Sequence, residues 1–87
     1  DGPLVLDEKK LIVYPNPAAD HVFIYMNGRN TISSWQVFNI EGKEVLRNSN
    51  PDPKSNQIET GGLSNGFYIL KVETPVGPIT RKIQIMN

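Results

Sequence analysis

Residues equipped for chemistry are few in this chain, and they stand apart. His21 is the only histidine, it follows Asp20 at the start of an apolar run, and the chain has no cysteine. A lone histidine without thiolates cannot assemble a usual zinc site, and the carboxylates are scattered singly, so no metal centre is expected. Ser64 stands near Gly66 as a candidate nucleophile, yet no second histidine or lysine is placed to activate it, and Leu63-Ser64-Asn65-Gly66 is explained by a turn. Gly61-Gly62 lies between strand-like runs and opens no helix, which argues against a phosphate loop. The chain is therefore expected to be no enzyme and to need no cofactor, with His21 in a structural role.

One binding chemistry is on offer. Trp35, Tyr25, Tyr68 and Phe67 are aromatic residues of the kind that line sugar platforms in small β-sandwiches. The competing use is the core, because the chain has few other large residues to fill one. A small carbohydrate-binding or adhesion module is thus the second reading of the sequence, and a purely structural spacer the third.

The elements that must position any of these residues are strands. With 87 residues, 38% hydrophobic and 21% charged, the chain has room for one small core. Nine basic and nine acidic residues cancel, so no global field attracts nucleic acid or anionic lipid. No apolar run reaches eighteen residues and no basic-then-apolar segment opens the chain, so neither a membrane span nor a signal peptide is expected. Asp1-Gly2-Pro3 reads as the end of a linker, and residues 1–10 as a tether or a loosely held edge strand.

Leu11 to Tyr14 forms a strand that Pro15-Asn16-Pro17 must end, since two prolines fix φ twice and remove two donors. Asn16 is expected to bond its own neighbouring backbone and hold the corner shut. His21 to Met26 reads as a strand partly covered on both faces, with Val22, Ile24 and Met26 opposed to Phe23 and Tyr25. Residues 27–30 make a turn, Ser34 to Ile40 a strand, and Gly42 suits a type I turn closed by a glycine bulge before Glu44 to Arg47 returns. Residues 48–56 read as an exposed, mobile loop, followed by a short strand around Ile58.

The organising stretch is Leu63 to Glu73. Leu63-x-x-Gly66-x-Tyr68 is a tyrosine corner: a leucine plugs the core, a glycine takes positive φ, and a buried tyrosine sends its hydroxyl to backbone. Gly66 to Glu73 is then a central strand covered on both faces near its start, with Tyr68, Leu70 and Val72 opposed to Phe67, Ile69 and Lys71. Ile79 to Met86 is the last strand. Its Arg81 shares the core parity of Ile79, Ile83 and Ile85, so it either sits where the sandwich opens or lays its methylenes over the core edge with its guanidinium wet. The fold class predicted is all-β, an immunoglobulin-like seven-stranded antiparallel sandwich. The last strand is read as an edge open to strand addition by a partner, or as a solvated edge protected by lysine. Arg81 and Lys82 are expected to lie near Lys71 as a small basic patch.

Four pieces in order carry a family likeness: Tyr14-Pro15-Asn16-Pro17-Ala18; Val37-Phe38-Asn39-Ile40-x-Gly42-Lys43-x-Val45; Leu63-Ser64-x-Gly66-x-Tyr68-Ile69-Leu70-Lys71-Val72; and Lys82-Ile83-x-Ile85. Over residues 11–87 the chain resembles the type A carboxyl-terminal sorting domain of type IX secretion. The resemblance implies an address label of Gram-negative bacteria. A separate amino-terminal signal brings the attached passenger to the periplasm, and the domain then directs it through the outer membrane to the cell surface or the medium. The implied partners are translocon, shuttle and sortase proteins, and the sortase usually removes the domain, here near or before residue 10. Carried over by position, Gly66, Tyr68, Arg81, Lys82, Ile83 and Ile85 become export-recognition residues. Tyr14, Pro15, Asn16, Pro17, Gly42 and Leu63 become structural ones. Asn39 stands where the family often has aspartate.

Overall fold

The computed structural model describes residues 11–26, 31–49, 51, 57–75 and 77–86. Those residues form seven strands and no helix: β1 (Leu11–Tyr14), β2 (His21–Met26), β3 (Ser34–Asn39), β4 (Glu44–Asn48), β5 (Gln57–Glu59), β6 (Gly66–Thr74) and β7 (Gly77–Ile85). They assemble into two antiparallel sheets, β1-β2-β5 and β4-β3-β6-β7, as expected of an immunoglobulin-like sandwich. The tether at 1–10, the turn at 27–30 and most of the 48–56 loop lie outside the described residues.

Alternation of side chains along each strand builds the core. From the three-stranded sheet come Val22, Ile24 and Ile58, and from the four-stranded sheet Val37, Leu70, Val72, Ile79, Ile83 and Ile85, all fully buried. Burial of each such side chain stabilises the fold by about 1.5–3 kcal/mol. Trp35 and Tyr68 join the same core.

Two tight features fix the register. At the β3–β4 hairpin Gly42 has φ +86°, its N–H donates to the Asn39 carbonyl at 2.9 Å, and the Asn39 side-chain oxygen accepts from Glu41 N and Lys43 N at 2.9 Å each. An asparagine is enough here, because an amide oxygen accepts these bonds as a carboxylate does. At the start of β6 the tyrosine corner forms as anticipated: Gly66 has φ +147°, and Tyr68 Oη donates to the Ser64 carbonyl at 2.7 Å.

Three expectations are corrected. Strand β6 is not covered on both faces near its start, since Phe67 and Ile69 are 45% and 37% exposed. A two-layer sandwich places nothing over its outward positions, and Tyr25 on β2 stands open for the same reason. Asn16 does not bond its own corner but reaches β7, 66 and 68 residues away in sequence. Arg81 does not keep its guanidinium wet: from the edge strand β7 its Nη2 donates to the Leu11 carbonyl at 2.8 Å, on the edge strand β1 of the other sheet.

Candidate docking surface on the last two strands

The residues marked for recognition fall on three sides of the β6–β7 pair. Register sets Gly66 opposite Ile85, Tyr68 opposite Ile83, Leu70 opposite Arg81 and Ile69 opposite Lys82. Ile83 and Ile85 are wholly buried and Tyr68 nearly so, which makes them unreadable from outside while the sandwich is intact. Gly66 supplies a backbone conformation and Arg81 an inter-sheet tie. Of the six, only Lys82 is exposed.

Lys82 is not isolated there. Its ammonium lies 4.4 Å from the centroid of the Phe67 ring, a contact worth about 0.5–1 kcal/mol at an exposed site. Phe38, Ile69 and Lys82 form one row across β3, β6 and β7, and Phe67 and Gln84 form the next. Phe67, Ile69 and Lys82 therefore share one outward patch, with a single cation at the β7 border. Among the described residues no carboxylate lies within ion-pair distance of Lys82. The expected patch of Arg81, Lys82 and Lys71 loses Arg81, which points inward; Lys71 shares the outward face with Lys82 by register, and its Nζ sits 3.5 Å from Glu73 Oε2. Opposite parity separates neighbours in a strand, so Arg81 and Lys82 cannot share a face.

The outer edge of β7 is also not free. Asn16 Nδ2 donates to the Lys82 carbonyl at 3.2 Å and Asn16 Oδ1 accepts from Gln84 N at 3.0 Å. Two residues on, Ala18 N donates to the Gln84 carbonyl and Met86 N donates to the Ala18 carbonyl, both at 2.7 Å, in a short parallel bridge. Strand addition at Lys82–Met86, one of the two readings of the sequence, is thus blocked by the chain itself, and the other reading, a solvated edge, does not hold there either. Pro15 and Pro17 flank Asn16 and have no N–H, so here the side-chain amide does the pairing that backbone would otherwise do. Tyr14, the first residue of that motif, packs outward on the other sheet, 5.4 Å from Phe23 between ring centroids. Leu63 packs against the core below the tyrosine corner.

The remaining chemical candidates are dispersed. His21 Nδ1 lies 2.7 Å from Asp20 Oδ1 and its ring meets Phe23 edge-on at 5.0 Å. Ser64 contributes its carbonyl to the tyrosine corner. No group of three potential metal ligands occurs among the described residues. The four aromatics proposed as a sugar platform are divided: Trp35 and Tyr68 are buried, Tyr25 faces outward on one sheet and Phe67 on the other. A platform needs coplanar neighbours, and strand parity denies it to these four.

Reasoning from sequence missed Phe67 as the partner of Lys82, and Ala18 and Gln84 as partners in the edge. The first was within reach, because counting outward from the turn after Thr74 sets Phe67 and Lys82 on one face. The second was not, because nothing local links residue 16 to residue 84.

A family model described as the secretion system C-terminal sorting domain matches residues 12–86. No curated protein matches the chain.

Proposed function

Because this chain belongs to the family of C-terminal sorting domains of type IX secretion, we propose that the export apparatus reads it as a folded surface centred on Lys82 and Phe67. The domain is the sorting signal that directs an attached protein to the cell surface or the medium, and its family is not an enzyme family. The finer reading concerns how. A translocon, shuttle or sortase component that meets the intact sandwich can touch Phe67, Ile69, Lys82 and Gln84, and it cannot touch Tyr68, Ile83 or Ile85. Gly66, Tyr68, Arg81, Ile83 and Ile85 act by holding the outward row in register. Residues 11–87 are the folded label, residues 1–10 the join to the passenger, and periplasmic transit precedes recognition. The reading includes no catalytic step.

The observation that carries this proposal is the Lys82–Phe67 contact at 4.4 Å, on a face with no carboxylate to neutralise Lys82 among the described residues. An apolar patch with one unneutralised cation fits a partner that offers an apolar recess beside an acidic residue. The test fuses residues 1–87 behind a periplasmic reporter in a host with type IX secretion. The wild-type fusion should leave the periplasm. Lys82→Glu should hold it back while the purified variant keeps its native sheet by circular dichroism, and export undiminished by Lys82→Glu and Phe67→Ser together would overturn the reading.

A further inference from the structure

We propose that the Pro15–Ala18 segment is a displaceable cover over a strand-docking edge. It holds in cis the backbone groups of Lys82, Gln84 and Met86 that an extended segment of the export apparatus pairs with once the cover lifts. This rests on the sorting reading above, to which it adds a regulated step.

The cover is an imperfect strand. Four bonds join it to β7, and two of them come from one side chain, Asn16, at 3.0 and 3.2 Å on the solvent-exposed side. Proline at 15 and 17 removes two backbone donors on the amino-terminal side, and beyond Ala18 the carbonyls of Ala19 and Asp20 are taken by Thr60. An ordinary extended chain has no such gap. It would supply all four bonds from its own backbone and continue along Thr80, whose outward groups no strand pairs with among the described residues. The incoming segment is therefore able to outbid the cover by hydrogen-bond count alone.

The segment is also built to move as a unit. At its amino-terminal end it is anchored by Tyr14, paired with Phe23 in β1–β2. At its carboxyl-terminal end Thr60 holds it, with Thr60 Oγ1 donating to the Ala19 carbonyl at 3.0 Å and Thr60 N to the Asp20 carbonyl at 2.9 Å. Between these two anchors only Asn16 and Ala18 hydrogen-bond to β7. Ala18 is buried, and Ile85, its Cα partner in the bridge, lies in the same core. The docking segment must accordingly bring a small apolar residue to that position. A charged or bulky one there would leave Ile85 uncovered or strain the seat.

Amide exchange on the 87-residue chain tests the cover without any partner. In an antiparallel ladder the N–H groups of Ile83 and Ile85 point to β6, while those of Gln84 and Met86 point to the cover. Gln84 and Met86 should exchange at least about tenfold faster than Ile83 and Ile85, as local opening predicts. Equal rates for all four would show that the segment lifts only when the sandwich unfolds, and would overturn the proposal. A second arm uses the cysteine-free background: Ala18→Cys with Ile85→Cys, carried in the reporter fusion, with export read per folded molecule by circular dichroism because Ile85 is a core residue. Per folded molecule the oxidised pair should be exported less than the reduced pair; equal export per folded molecule overturns the proposal. If the wild-type fusion itself never leaves, the sorting reading fails instead, while the exchange result stands.

Discussion

The two borders of the four-stranded sheet are protected by different physics. At the β4 border the strand is short, carries Arg47 with its side chain 65% exposed, and pairs with β3 through a register shift between Val37 and Phe38. Charge and irregularity discourage a partner there, as on many natural edges. At the β7 border the strand is long, and the chain folds back and pairs with it through Asn16 and Ala18. The first defence is unspecific, because it repels any strand. The second occupies particular backbone groups, and whatever occupies a site can also vacate it. A sheet that needs one closed edge and one conditional edge would be built this way.

Mutations at the two borders should therefore differ in size. The largest effect belongs beneath the cover: Ile85→Ala removes a wholly buried side chain from the seat of Ala18 and should cost about 2–5 kcal/mol in denaturant unfolding. Ala18→Leu overfills the same place and should cost about 1–3 kcal/mol. Asn16→Ala deletes two exposed hydrogen bonds and should cost about 1–2 kcal/mol, with faster exchange at Gln84 and no change at Leu46. At the other border Arg47→Ala should shift stability by no more than about 0.5 kcal/mol, its 3.7 Å pair with Glu44 being solvent-screened. A cost for Arg47→Ala equal to that of Asn16→Ala would erase the distinction between the two borders.

A companion pair of changes separates reading from folding on β7. Lys82→Ala should leave stability within about 0.5–1 kcal/mol of wild type and lower export of a fused reporter. Ile83→Ala, one residue away, should lose about 2–5 kcal/mol and lower export only as far as the folded population falls. Export that tracks stability for both would place the signal in the fold and not in its outward row.

Much of this was legible in the chain. Parity within a strand is local, so Tyr68, Leu70 and Val72 could be set against Phe67, Ile69 and Lys71 from spacing alone, and the structure places those two sets on opposite faces. The tyrosine corner and the Gly42 turn were legible because each needs one conformation that few residues allow. Burial was less legible. A strand rich in apolar residues on both faces looks covered twice, and only the number of layers decides whether it is. Trp35 and Phe67 were interchangeable as platform residues in the sequence, and the fold sends one inward and the other out.

From its amino acids alone the protein reads as a small sandwich, because alternation, prolines and glycines act over a few residues at a time. Two contacts were decided only by the tertiary packing: Arg81 on the Leu11 carbonyl, and Asn16 across Lys82 and Gln84. Each spans most of the chain. Such distances in space are set by sheet register and layer spacing, which no neighbouring residue encodes.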